Sequence, residues 1–322
     1  MTESQSFAAR IRERFPEGLT GIFAVGGTRT SYILATNREQ SDPGHIEELE
    51  KYADFALDKL LELLKTFLQL GGQNIVVPVL SYQSFANERG IEYAQATAQF
   101  ALDLMNGNWI DFYHESEIDP YFTGIDTLLH LPEHTFAHEL GVQCRQFNES
   151  WQYQEGRRKI IWEVAPIPLF SFLHAHEVMG AEAQAELEEA LEQTSDLQVM
   201  HDLVYKYYAR AVYGTDLPYP HFYVGTNRNG DLKLRALLPI ALLCGGPFRL
   251  YYTPYPSFFM TAETLKVILE DLAFGKPLRS TKLDYSGQVT SELLEAEYER
   301  VQELSADPFS TLGLVRNVGN DD

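Results

Sequence analysis

Leu19-Thr20-Gly21-Ile22-Phe23-Ala24-Val25-Gly26-Gly27-Thr28-Arg29-Thr30 is the stretch on which the reading of this chain turns. Residues 19–25 form an apolar run with the length and character of a buried strand. The run empties into two glycines, a threonine, an arginine and a second threonine. Glycine lets backbone N–H groups turn toward an anion and approach it closely. Thr28 and Thr30 add hydroxyl donors, and Arg29 adds a planar fork that grips phosphate oxygens in pairs. A helix starting here would add its positive end. Gly26, Gly27, Thr28, Arg29 and Thr30 are therefore the candidate phosphate cradle. The plainer reading of two glycines after a strand is a turn.

Outward from this stretch, strand-like and helix-like segments alternate. Residues 1–18 predict a short amphipathic helix or arm, closed by Pro16-Glu17-Gly18. Leu49, Tyr52, Phe55, Ala56, Leu60, Leu63, Leu64 and Phe67 fall at helical spacing, and Gly71-Gly72 ends that helix. Ile75 to Leu80 reads as a strand and 88–105 as a helix, whereas 106–135 is less regular. Val142 to Phe147 and Lys159 to Val164 read as strands. Helices follow at 181–194, which is strongly acidic, and at Leu197 to Tyr213. His221 to Gly225 and Arg249 to Thr253 read as strands, with a turn at 226–230 and an apolar run at 237–243 between them. Thr261 caps a last helix that runs to Phe274.

This alternation predicts an α/β fold: a single domain with a mostly parallel central sheet flanked by helices. The divisions expected are an arm at 1–18, the α/β body at 19–280, and a C-terminal helix and tail at 281–322. Ligands of such sheets gather beyond the carboxyl ends of the strands. The loops at Gly26, Ser81 and Thr226 would lie there.

The chain carries 46 acidic against 25 basic residues, a formal charge of −21. A nucleic-acid backbone would be repelled by such a surface, so no nucleic-acid partner is expected. Two cysteines far apart in sequence, Cys144 and Cys244, suggest neither a disulfide framework nor a zinc motif. Met1 to Arg14 lacks the apolar centre of a signal peptide, and no run reaches the ~18 apolar residues of a membrane span. The expectation is a cytoplasmic protein not integral to a membrane.

Several segments, taken in order, carry a resemblance. Gly26-Gly27-Thr28-Arg29-Thr30-Ser31 follows the first strand, and Gly44-His45 follows that loop. Leu70-Gly71-Gly72 precedes Val76 to Ser81. Then come Glu139-Leu140-Gly141-Val142-Gln143-Cys144-Arg145, Asp216-Leu217-Pro218-Tyr219-Pro220 and Leu250-Tyr251-Tyr252-Thr253. In this collinear order, from about Thr20 to Gly275, the chain resembles the cis-prenyltransferase superfamily, whose type is undecaprenyl diphosphate synthase. The stretch 139–145 looks like that family's Glu-Asn-Gly-Ile-x-x-Arg strand.

The departures bear on function. The family's loop aspartate, which works with magnesium and the allylic diphosphate, is Gly26 here. The family's Ile-Arg-Thr-Gly-Gly segment reads Val224-Gly225-Thr226-Asn227-Arg228, its Arg-x-Ser reads Lys233-Leu234-Arg235, and its glutamate before the final Leu-Tyr is Arg249. Val164-Ala165-Pro166-Ile167-Pro168 replaces Asn-Tyr-Gly-Gly-Arg, and Tyr82-Gln83-Ser84-Phe85-Ala86 replaces Ser-x-x-Asn-Trp. These changes fall on the site that accepts isopentenyl diphosphate in elongating members. The pattern is closest to tuberculosinyl-transferase-type diterpene enzymes.

The resemblance implies an enzyme, a terpenyl transferase or terpene synthase of isoprenoid biosynthesis. It would ionise one prenyl diphosphate and quench the cation with water, an acceptor or internal cyclisation. Arg228, Arg235 and Arg249 would join the diphosphate cradle if they converge there. His45 is carried over as a diphosphate contact or proton shuttle, and Tyr82 with Phe85 as prenyl-pocket aromatics; Tyr82 or a bound water would serve as base or nucleophile. No cofactor is required by the motifs; Mg²⁺ would need ligands other than the missing aspartate. A homodimer is the family's usual state. Two alternatives stand beside this reading: a non-catalytic partner subunit, and an atypical chain-elongating cis-prenyltransferase. His130, His134 and His138 recur at spacing four, which would set them on one face if 131–140 were helical, but a polar surface helix explains them as well.

Overall fold

A computed structural model describes residues 3–36, 49–85, 91–226, 248–275 and 291–306. Six strands form one sheet: β1 Thr20–Ala24, β2 Asn74–Leu80, β3 Ile118–Thr123, β4 Arg158–Val164, β5 Phe222–Thr226 and β6 Arg249–Thr253. They lie in the order β3-β4-β2-β1-β5-β6, and every pairing is parallel. Parallel neighbours need crossovers, and helices supply them. These are α1 Glu3–Arg14, α2 Thr28–Thr36, α3 Leu49–Gln69, α4 Ile91–Asp103, α5 Gly107–Glu115, α6 Asp126–Leu129, α7 Phe136–Ser150, α8 Pro168–Glu192 and α9 Leu197–Tyr213, with α10 Ala262–Phe274 and α11 Ser291–Ala306 after the last strand. The expected α/β fold, one domain with helices flanking a parallel sheet, is the observed one.

Side chains alternate across the sheet, as a period of two requires. Phe23, Ile75, Val77, Ile160, Trp162, Phe222 and Val224 face the larger core, built with α1, α3, α4, α5, α7 and α10. Ile22, Ala24, Val76, Ile161 and Tyr223 face the smaller one, closed by Ala175 of α8 and Tyr205, Ala209, Val212 and Tyr213 of α9. With both faces covered, the central strands read as unbroken apolar runs. α9 ends on Gly214 at φ 64°, where a Cβ would stand 2.3 Å from the Tyr121 ring. Only glycine fits that left-handed C-cap.

Two local expectations are corrected. Val142 to Phe147 is not a strand; it belongs to α7. Thr135 caps that helix by accepting from His138 N–H, and Ala137, Leu140, Gly141 and Cys144 are buried at helical spacing. The match of 139–145 to the family's strand therefore fails. The strand at this stage of the chain is β3, within the less regular stretch. Asp119 and Pro120 obscure it, and both are tolerated because β3 is a sheet edge. Asn148 closes that edge: Phe122 N–H donates to its Oδ1 at 2.9 Å and its Nδ2 donates to Phe122 O at 2.8 Å. A side-chain amide thus takes the place of a seventh strand.

His221 holds the other end of the central strands. Its Nδ1 accepts Thr20 N–H at 3.1 Å, and Phe15 packs edge-on at 4.8 Å. Burial drives the imidazole down from 6.5 to about 4, against a smaller opposing effect of the Thr20 bond. The ring is neutral when folded, so below pH 6.5 the unfolded chain binds more protons and stability falls until the folded group titrates near 4. Urea unfolding should show about 2 kcal/mol less stability at pH 5 than at pH 7 from this group. His221→Gln should flatten that slope; a variant with the parental slope would assign the acid sensitivity elsewhere.

Candidate active site

At the carboxyl end of the sheet the loops after β1 and β6 meet Thr226, the last residue of β5. Buried Gly26 is held from two sides: its N–H donates to Ser257 Oγ at 3.0 Å, and Ser257 N–H donates to Gly26 O at 3.0 Å. Thr226 Oγ1 lies 2.6 Å from Ser257 Oγ, 3.4 Å from Gly26 O and 3.3 Å from Tyr255 O. Thr253 Oγ1 donates to Tyr255 O at 2.8 Å. Hydroxyls from the ends of β5 and β6 thus fix the backbone at the end of β1.

Gly27 turns the chain at φ 67°, with Pro256 Cβ only 3.0 Å from where its own Cβ would be. Its carbonyl accepts Ser31 N–H at 2.8 Å, the first bond of α2, so Gly27 is the N-cap and offers no capping side chain. The amides of Thr28, Arg29 and Thr30 stand in the first turn, where a helix has no carbonyl for them. They stand next to the middle of the sheet, at the positive end of α2. Gly27 and Arg29 are exposed and Thr28 and Thr30 half-buried. Thr28 Oγ1 lies 2.6 Å from the Tyr52 hydroxyl of α3. Tyr32, Tyr52, Phe55 and Phe258 continue from there as a chain of ring contacts at 5.6 to 6.2 Å, an apolar wall beside the loop.

The other expected residues divide. Tyr82 opens a short 3-10 turn after β2, the strand next to β1, and is 47% exposed. Phe85, in the same turn, packs its ring on Phe136 of α7 at 6.1 Å. Arg249 is not in the cradle. It begins β6 opposite Phe222, whereas Thr253 ends that strand opposite Thr226. Four residues of strand put it about 13 Å from the loop end. There Nη1 pairs with Asp271 Oδ2 at 2.5 Å and donates to the Asp271 carbonyl at 3.0 Å. His45, Arg228 and Arg235 lie outside the described residues, as does the apolar run 237–243.

His130, His134 and His138 do not share a helical face: α6 ends at Leu129, His130 is its C-cap, and α7 begins only at Phe136. Among the described residues no group of three or more His, Cys, Asp or Glu is placed to hold a metal ion. A Cβ at position 26 would come within 3.2 Å of Thr226 Cβ. The loop therefore offers hydroxyls and amides but no carboxylate, a poor set for Mg²⁺, and the described side chains do not fit that ion. Sequence reasoning missed Ser257 and Tyr52. A hydroxyl residue just past a strand, as in Thr253-Pro254-Tyr255-Pro256-Ser257, was the available signal for the first.

No helix of the described residues is long and apolar enough to cross a membrane. No protein-family model matches the chain. A tuberculosinyl adenosine transferase of Mycobacterium tuberculosis (strain CDC 1551 / Oshkosh) is 24% identical over 317 aligned positions, covering 89% of this chain and 85% of the relative. Among solved structures, lavandulyl diphosphate synthase from Lavandula x intermedia, in complex with dimethylallyl diphosphate, superposes at a TM-score of 0.50 with 12% identity, over 81% of this chain and 96% of that one. A probable undecaprenyl diphosphate synthase from Campylobacter jejuni reaches 0.46 with 10% identity over 81% of this chain and 97% of that one. What the chain shares with this lavandulyl diphosphate synthase is the fold.

Proposed function

We propose that the protein is an enzyme acting on a prenyl diphosphate, which it ionises with release of diphosphate. The observation that carries this reading is the glycine-capped start of α2 at the middle of the sheet. It sets the amides of Thr28, Arg29 and Thr30 in the first turn of a helix, with two threonine hydroxyls and the Arg29 guanidinium on the same turn. Charge gathers on a leaving diphosphate as the carbon–oxygen bond breaks, and preorganised donors stabilise that charge most in a site shielded from water. The aromatic wall from Tyr32 to Phe258 suits the hydrocarbon part, since ring faces favour a developing cation. The cation is then quenched by water, by an acceptor or by internal cyclisation. Tyr82, at the end of the neighbouring strand, is the side chain assigned to meet it. The names of the relative and the neighbour, a tuberculosinyl transferase and a synthase bound to dimethylallyl diphosphate, support the same chemistry.

The test is a panel of ten- to twenty-carbon prenyl diphosphates, with and without Mg²⁺ and isopentenyl diphosphate. Diphosphate release and extracted products are followed together. The expected result is turnover of a single prenyl diphosphate without growth of the chain. Products lengthened by five-carbon steps would replace this reading with chain elongation. No diphosphate release from any member would favour a non-catalytic partner subunit, to which the glycine at position 26 also points.

A further inference from the structure

Nothing in the loop's own sequence explains why its backbone should stay aimed. Gly26 and Gly27 are adjacent glycines, the residues that most readily wander. The restraint comes from 231 residues further along the chain. Ser257 is 3% exposed, on the short turn Ser257–Phe259 that follows β6. It closes a two-bond ring with Gly26: its hydroxyl oxygen accepts from the Gly26 amide, and its own amide donates to the Gly26 carbonyl, each at 3.0 Å. The hydroxyl is itself clamped by Thr226 Oγ1 at 2.6 Å. Its partners are therefore the loop backbone and one side chain of β5, and the α2 amides that would receive a ligand start two residues beyond.

We infer that Ser257 is a positioning residue of the diphosphate loop: held by Thr226, its hydroxyl fixes Gly26, and through Gly26 it sets the direction of the first-turn amides of α2. The inference rests on the diphosphate reading above. Ser257 touches no ligand; it acts through the loop. Losing its hydroxyl leaves the Gly26 amide without its acceptor in a buried place, and the loop can then relax away from the ligand-binding geometry.

The experiment measures binding of inorganic pyrophosphate by calorimetry to the full chain and to Ser257→Ala, Thr226→Val and Arg29→Ala, with thermal unfolding of each. Binding of a prenyl alcohol, which has the hydrocarbon but not the diphosphate, is measured beside it. Ser257→Ala should weaken pyrophosphate binding about tenfold. Thr226→Val, which removes the clamp but keeps the shape, should weaken it about threefold. Neither should change the alcohol's affinity; a general loss of packing would weaken both ligands alike. Should Ser257→Ala fail to fold, Thr226→Val reads the same contact. Parental pyrophosphate affinity in the Ser257 and Thr226 variants, with loss in Arg29→Ala, overturns the positioning role and leaves the diphosphate site standing. Parental affinity in Arg29→Ala as well removes the site itself.

Discussion

Arg29→Ala should lower diphosphate release from the preferred prenyl diphosphate by about 10²–10³-fold, the usual cost of one donor aimed at developing negative charge. The loss should fall on kcat as well as on kcat/KM, because the leaving group carries more charge in the transition state than in the bound substrate. Arg29 is exposed on the first turn of α2, and its side chain contributes nothing to either core cluster. The melting temperature should therefore stay within a few degrees of the parent. Arg29→Lys should recover only part of the activity, since an ammonium is a point charge without the fork that engages two oxygens at once. Full activity in the alanine variant would move the chemistry to another part of the molecule.

The largest expected effect on stability lies at the opposite end of the sheet. The Asp119 side chain is fully buried at the start of β3. Its carboxylate accepts from Gln154 N–H at 3.0 Å, the Trp151 indole at 3.1 Å and Lys159 Nζ at 3.1 Å, with Arg157 at 3.6 Å. Burial alone would raise this carboxyl; the Gln154 amide, the indole and the Lys159 ammonium outweigh burial and hold it below 3.8. Its stabilising contribution is thus present above pH ~3.8 and lost as pH falls through the lower folded value. Asp119→Ala should cost about 3–5 kcal/mol, because it strands a partly buried lysine and two further donors. Urea unfolding at pH 7 measures it. Asp119→Asn, which keeps acceptor and shape, should cost less. A change below ~0.5 kcal/mol in the alanine variant would mean that solvent reaches these donors. Activity per folded molecule should not change, since β3 is three strands from β1.

What could be read in advance follows from burial. Strands covered on both faces announce themselves as apolar runs, and β1, β2, β4 and β5 did so. β3 did not, because an edge strand can carry Pro120, and Asp119 is buried only by virtue of partners 32 to 40 residues away. The misreading at 142–147 has a related cause: short apolar runs fit either period, and the deciding signal was the cap at Thr135. The turn from Gly26 to Thr30 was legible as glycines and hydroxyl residues after a strand, and the proposed diphosphate contact rests on that turn. Arg249 was misplaced because a sequence gives the strand a residue belongs to more easily than the end at which it sits. Ser257 was invisible for the reason that makes it interesting: its partner is Gly26, and no local pattern links them.

The close fit between Gly26 and Thr226 also bears on how such a chain could change over generations. Placing an acidic side chain at position 26 is a single codon's work on paper. In the folded molecule the newcomer would press on Thr226, and Thr226 steadies Ser257, so the substitution acts on the loop's own restraint. A side chain at 26 is accommodated only as far as Thr226 can give way by a few tenths of an ångström. What position 26 can hold is thereby tied to what stands at 226.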